Sequence, residues 1–283
     1  MNSLRQQMTD IMLVRGMSKR THRSYLHAVT ELSQYYECSP DQLTGEQLQA
    51  FFLYLVKERE LSPATCRLYL NAIHFFYRHV LGRESFGVTL SVPSREQRIP
   101  ELLMRSEVNA IINACRQIKH RVLLSTCYGC GLRVSELVSL KVRNIDGERQ
   151  LLRIEQGKGK KDRAVIIAPS LLQVLRQYWQ LLQPSVWLFA GRNPEQAMAS
   201  DTAQGVYQRA KQRAGIDKIG GIHSLRHAYA THQLEDGMSI HQLQQLLGHK
   251  NIQSTLRYTH WTPAYKEGQT GSDLLAHLAS YHE

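Results

Sequence analysis

Over the first eighty residues, apolar positions recur with the period of a helix and are interrupted three times. Leu4, Met8, Ile11 and Met12 share one face of a first segment, and Tyr25, Ala28, Val29, Leu32 and Tyr36 share one face of a second. Thr44 and Gln47 have the spacing of a capping box ahead of Leu48, Phe51, Phe52 and Leu55. Ser62-Pro63 opens a fourth segment with proline at the first helical position, turns Cys66, Tyr69, Ile73, Phe76 and Val80 inward, and is closed by Gly82. The pattern predicts a small all-helical domain over residues 1–85.

The rhythm fades from about Arg83, and Ser91 to Pro100 carries two prolines without apolar spacing, so residues 86–103 are expected to form an extended linker. Beyond it, Ser106 is expected to cap a helix bearing Val108, Ile111, Ile112 and Cys115, and a second helix runs through Val122, Leu123 and Leu124. One strand pair stands out, Leu151–Glu155 with Ala164–Ala168 around a Gly-Lys-rich turn. Helical spacing then returns over Leu171–Leu182, Thr202–Ala214, His223–Asp236 and Ile240–Leu247. The expected fold is mainly α with a small antiparallel sheet: an all-helical N-terminal domain followed by a mixed α/β domain over 104–283.

Charge narrows the partner. The 283 residues carry a formal charge of +11, which favours a polyanion, and nucleic acid is the commonest one. An anionic membrane surface competes, but no polybasic block flanks an apolar helix and no run of 18 apolar residues exists. The opening residues Met1 to Gln7 lack the apolar core of a secretory signal, and five cysteines are an odd number, so a reduced, cytoplasmic and nucleoid-associated setting is expected. Cys127 and Cys130 have the spacing of half a metal site but no second pair or suitably placed histidine, so helix-end packing is the better reading. No metal and no cofactor is expected.

Candidate chemistry gathers near the end of the chain. His223 and Arg226, three apart on a helix, project from one face. Gly248 stops the next helix and puts His249 at a corner, and Tyr258 follows on a short polar segment. Upstream, Arg133 stands in Gly131-Leu-Arg-Val-Ser-Glu136-Leu, and Lys158 lies between two glycines at the turn of the strand pair. Two guanidiniums fit the non-bridging oxygens of a phosphodiester and neutralise a pentavalent phosphorane. A phenol with pKa near 10 needs a cation or a base beside it to attack, which histidines supply. Lysine at the turn reaches a leaving oxygen, whereas a phosphate cradle of the P-loop kind would need different spacing and a following helix.

These motifs, together with Gly157-Lys-Gly, His223-Ser-Leu-Arg-His-Ala-Tyr-Ala-Thr-His232, Leu247-Gly-His and Tyr258-Thr-His, resemble the tyrosine recombinase (phage integrase) family over nearly the whole chain. Order and spacing are most similar to the Xer and integron-integrase branches, without the additional segment that the integron type carries before the His-x-x-Arg helix. Cys130 stands where a small hydroxyl residue is common in the family, and Ile222 replaces a frequent proline. The resemblance implies a nucleophilic Tyr258 that forms a 3′-phosphotyrosyl bond, Arg133 and Arg226 on the scissile phosphate, and Lys158 as acid for the leaving 5′ oxygen. It further implies His223 as acid–base partner of the tyrosine, His249 as a hydrogen-bond donor to the phosphate, and Glu136 as support for Arg133. The same resemblance implies a clamp on double-stranded DNA with paired core sites, a tetrameric synapse, and strand exchange through a Holliday junction. Asp273 to Ala279, with Leu274, Leu275 and Leu278 on one side, would pack on a neighbouring protomer, the alternative being a terminal helix packed on its own chain. Lys19, Arg20, Arg23 and Arg67 of the helical domain, and Lys141, Arg143, Lys160, Lys161 and Arg163 of the second, are candidate DNA contacts. A type IB topoisomerase, acting as a monomer without strand exchange, and a non-catalytic DNA-binding protein are the competing readings.

Overall fold

In the computed structural model, residues 2–83, 101–155, 162–259 and 261 are described. The chain divides into two compact units, 1–98 and 99–283. Residues 86–100 of the expected linker lie outside the described residues, as do Lys158, Lys160, Lys161 and the stretch Asp273 to Ala279.

The first unit is built of α1 (Asn2–Val14), α2 (Lys19–Tyr36), α3 (Gly45–Lys57) and α4 (Pro63–His79), with a 3-10 turn at Pro40–Gln42. Capping fixes the boundaries. Thr44 N–H donates to Gln47 Oε1 at 2.9 Å while Gln47 N–H donates to Thr44 Oγ1 at 3.3 Å, closing the capping box. Ser62 Oγ accepts from Thr65 N–H at 3.3 Å ahead of Pro63. The apolar faces meet in a core of Met8, Met12, Leu32, Leu48, Phe51, Ile73, Phe76 and Tyr77. Helix α4 stops at His79, three residues before the expected Gly82, whose φ of 67° marks the left-handed turn beyond.

The second unit contains α5 (Arg105–Asn113), α6 (Ile118–Gly129), α7 (Val134–Val138), β1 (Ile145–Asp146), β2 (Leu151–Ile154), β3 (Arg163–Ile166), α8 (Pro169–Leu182), α9 (Ser200–Arg213), α10 (His223–Glu235), α11 (Ile240–Leu247) and α12 (Gln253–Thr259). Ser106 does not cap α5. The N-cap is Met104, whose N–H donates to Glu107 Oε2 at 2.7 Å, so a carboxylate from the first turn replaces the expected hydroxyl. The strand pair belongs to a three-stranded antiparallel sheet, β1-β2-β3, in which β2 is central because the two-residue β1 pairs Ile145 with Leu152. Pairing of Leu152 with Val165 and of Ile154 with Arg163 turns Leu152, Ile154 and Val165 into the core.

Helix α6 runs through the middle of this unit and packs against α8 and α10. Its residues Val122, Leu123, Leu124, Thr126 and Cys127 are buried. Cys127 and Cys130 are packed in the core with their thiols pushed up to about 12 by burial. The buried face of α10 carries a guanidinium among its apolar and small side chains, that of Arg226, which is 1% exposed.

Candidate active site

Four corners of the second unit converge: the α6–α7 corner, the start of β3, α10, and the α11–α12 connection. Cys130 caps the end of α6, and Gly131 turns the chain left-handed at φ 58°. The Gly131 carbonyl accepts from Arg226 Nη1 at 2.6 Å, and the Leu247 carbonyl accepts from Arg226 Nη2 at 2.7 Å. One guanidinium thus ties both helix ends to α10. A Cβ on Gly131 would collide with the Tyr229 ring. Gly131→Ala is therefore expected to lose about 1–2 kcal/mol from the left-handed backbone alone, before the clash is counted. Thermal unfolding would report it as a drop of at least ~2 °C.

Glu136 is the electrostatic centre. It is 5% exposed and faces three guanidiniums. Arg163 grips it in two parallel bonds, Nη1 to Oε1 and Nη2 to Oε2, both 2.8 Å. Arg133 donates from its backbone N–H at 2.9 Å and from Nη1 at 2.7 Å. Arg226 Nη1 lies 3.8 Å from Oε2. Burial by itself would raise the Glu136 pKa, but the bonds from Arg163 and from the Arg133 N–H outweigh it and hold it at about 2.

Arg163, a candidate DNA contact by sequence, is thus turned inward. Its Nε donates to the Leu246 carbonyl at 2.9 Å, and its side chain is 12% exposed. The register of β3, which sets Arg163 opposite Ile154, delivers it to Glu136 and α11. Arg133 Nη2 reaches the Gly248 carbonyl at 3.4 Å, and Gly248, at φ 62°, terminates α11 as its sequence position suggested. Lys141 and Arg143 both face Glu155, at 3.5 and 3.4 Å, and Lys141 also lies over the Trp187 ring.

His249 sits at the expected corner. Its Nε2 is 3.1 Å from Arg226 Nη2 and its Nδ1 is 2.8 Å from Thr255 Oγ1. A guanidinium only donates, so Nε2 accepts and Nδ1–H donates to the threonine. Burial first, then the Arg226 and Arg133 charges, lower the His249 pKa to about 3, which keeps the ring neutral. Burial and then the charge of Arg133 also lower Arg226 to about 10, still a cation at neutral pH.

Tyr258 differs from its expected setting. The short polar segment is helix α12, and Tyr258 is 2% exposed, with the buried Thr255 one turn earlier on the same face. Its ring lies parallel to His249 at 6.3 Å and edge-on to Trp261 at 5.2 Å. Its hydroxyl is 3.1 Å from His227 Nδ1. Burial raises the phenol pKa while Arg226, Arg257 and Arg133 oppose the rise. His223 is exposed at the start of α10, and its ring meets His227 edge-on at 4.6 Å. The packed protein around its ring and then Arg226 and Arg133 lower its pKa.

Arg133, Glu136, Arg226, His249 and Tyr258 therefore share one site, with His223 at its rim. His227, Thr255 and Arg163 are the members that sequence reasoning did not place there. The only sequence signal for His227 is its position one turn after His223, on the face that carries the first histidine.

Comparison with known proteins agrees with this architecture. Residues 101–264 match the model of the phage integrase family, and residues 4–85 match its N-terminal SAM-like domain. The chain is 37% identical to the Sinorhizobium fredii protein y4qK over 259 residues, covering 91% of this chain and 84% of that one. It is 30% identical to the tyrosine recombinase XerD of Oceanobacillus iheyensis over 272 residues, covering 88% and 90%. A lambda integrase tetramer solved on a Holliday junction shares the fold at a TM-score of 0.75 and 18% identity, over 96% of this chain and 79% of that one. With a family match over most of the second unit and relatives spanning both, the chain belongs to the phage integrase family of tyrosine recombinases.

Proposed function

We propose that the chain is a site-specific recombinase that cleaves and rejoins duplex DNA through a 3′-phosphotyrosyl intermediate and exchanges strands through a Holliday junction. The observation that carries this reading is the packing of Tyr258 beside two guanidinium-bearing corners, Arg133 and Arg226, that share the carboxylate of Glu136. Tyr258 Oη attacks the scissile phosphorus. Arg133 and Arg226 hold its non-bridging oxygens and stabilise the charge of the phosphorane. Lys158 protonates the departing 5′ oxygen. His249 becomes a phosphate donor when the arriving anion draws Arg226 away from Nε2 and that nitrogen takes up a proton. His223 exchanges protons at the rim. The energy of the broken phosphodiester stays in the tyrosyl ester, so rejoining needs no other energy source.

The helical domain over 1–85, the linker over 86–103 and the catalytic domain over 104–283 would clamp double-stranded DNA. Lys19, Arg20 and Arg23 sit exposed in the first turns of α2, with no acidic residue there to offset them. Cations at a helix N-terminus oppose the helix dipole, an arrangement that an incoming phosphate backbone reverses. Arg67, exposed near the start of α4, extends the same assignment. Four protomers on paired core sites, in the cytoplasm and associated with the nucleoid, complete the reading. Trapping on a nicked duplex tests it: a denaturant-stable protein–DNA adduct whose linked peptide contains Tyr258 is expected. An adduct on another residue, or none on any duplex carrying the core site, would overturn it.

A further inference from the structure

The hydroxyl of Tyr258 meets a histidine that is not the one the His-x-x-Arg spacing selects. We propose that His227, the residue directly after Arg226, is the catalytic base that receives the Tyr258 proton through Nδ1. This inference rests on the reading of Tyr258 as the nucleophile.

Geometry carries it first. His227 Nδ1 is 3.1 Å from Tyr258 Oη, within hydrogen-bond range for direct transfer. The hydroxyl also lies in the field of Arg226, which holds donors only. A phenolic hydrogen directed at a guanidinium would be repelled, so it points to His227, whose neutral Nδ1 accepts it. Two rings hold His227 in place, since Trp261 packs edge-on at 5.5 Å and His223 edge-on at 4.6 Å. Both contacts fix the ring plane that aims Nδ1 at the phenol.

The order of burial supplies a route. His227 is half-buried and His223, one turn earlier on α10, is exposed. Any proton taken up inside stands next to a second imidazole that reaches solvent. In cleavage, the Tyr258 Oη–P bond forms as the O–H bond breaks and its proton moves to His227 Nδ1. The P–O5′ bond breaks with its electron pair on the 5′ oxygen, which takes a proton from Lys158. In rejoining, the 5′ oxygen attacks phosphorus as its O–H proton returns to the neutral Lys158 amine, the Tyr258 Oη–P bond breaks with its electron pair on the tyrosyl oxygen, and the His227 proton returns to that oxygen.

The charges around His227 explain when it acts. His223 and Arg226 face it from α10, His249 from the α11–α12 connection, and Arg257 and Tyr258 from α12. Burial and then these neighbours keep the ring neutral, with a pKa lowered to about 3. A scissile phosphate bound on Arg226 offsets the nearest cation, so the imidazole becomes more basic only when the substrate is in place.

The test measures the rate of adduct formation by the full-length protein on a nicked core-site duplex, with binding followed separately by mobility shift. His227→Ala and His227→Asn are both expected to bind as the wild type does and to cleave at least ~100-fold more slowly at pH 7. Asparagine retains an acceptor where Nδ1 stood but takes up no proton. Cleavage by both variants is expected to climb about tenfold per pH unit from 7 to 9, as phenolate forms without a base. Added imidazole is expected to restore part of the rate for the alanine variant. Recovery of the wild-type rate by His227→Asn would reduce His227 to a positioning residue, and a rate unchanged or raised in His227→Ala would overturn the inference outright. The Tyr258→Phe control separates the two readings: an adduct there would sink the nucleophile itself, whereas an active His227→Ala with an inert Tyr258→Phe sinks only the base.

Discussion

Tyr258→Phe is expected to bind core-site DNA with unchanged affinity and to form no covalent adduct. The substitution removes one oxygen from a ring that is 2% exposed and keeps the packing on His249 and Trp261. Losing the hydroxyl leaves His227 Nδ1 without that partner and costs about 1 kcal/mol, a Tm shift of roughly 2–4 °C. The effect on chemistry is of another order. The other hydroxyl at His249, Thr255 Oγ1, is an alcohol held by the His249 Nδ1–H on the ring nitrogen that faces away from Arg226, so cleavage should fall by more than about 10⁴-fold. Binding, dominated by Lys and Arg contacts with phosphates, should retain its steep salt dependence. Measuring adduct yield, mobility shift at two salt concentrations and thermal unfolding on one preparation separates loss of the nucleophile from loss of the fold. A covalent product in the phenylalanine variant would refute the assignment.

Such a result would test a site whose members were legible in the sequence but whose pairings were not. Caps declared themselves at α3 and α4, where Thr44 and Ser62 close the first turn. They misled at α5, where Ser106 had the right chemistry but Met104 took the cap through the Glu107 carboxylate. Strand β1 escaped because two residues have no period, and it exists only through pairing with β2. Helix α12 escaped for a related reason. Gln253–Thr259 has just two buried residues, Thr255 and Tyr258, and its helix is stabilised by what they pack against.

The site shows the same division. Arg133, Arg226, His249 and Tyr258 are recognisable by type and order, because they stand in the motifs that carry the family resemblance. Which side chain each one touches depends on contacts between residues far apart in sequence. Arg163 reaches Glu136 across 27 positions, and His227 reaches Tyr258 across 31. A basic hairpin predicts surface cations, and only the register of β3 against β2 shows that one of them is consumed inside.

That inward arginine makes Glu136 the position with the largest expected effect on stability. Glu136→Ala leaves Arg133, Arg163 and Arg226 facing one another around a vacated, buried site, and should cost about 3–5 kcal/mol. Glu136→Gln keeps the volume and one acceptor oxygen, and therefore isolates the charge. The wild-type carboxylate is held at about 2 against an ordinary 4.5, a difference of about 3 kcal/mol of stability. Because the folded pKa is the depressed one, that contribution is complete above pH 4.5 and disappears as pH falls toward 2, where the folded protein takes up the proton the unfolded chain already holds. Denaturant unfolding of wild type and Glu136→Gln should thus differ by about 3 kcal/mol at pH 7, and the gap should close steadily below pH 4.5. A gap that stays constant through the acid range would count against the charge as the cause. Cleavage should suffer beyond stability. In Glu136→Gln a single oxygen remains for donors that had two, so Arg133 loses one of its two bonds to residue 136 and with it the fixed direction of its guanidinium, and phosphate still binds but its oxygens are no longer held in line with Tyr258. A folded Glu136→Gln that binds DNA normally at pH 7 yet forms adduct ~10²-fold more slowly is the outcome this geometry requires, because the carboxylate aligns the arginine that aligns the phosphate.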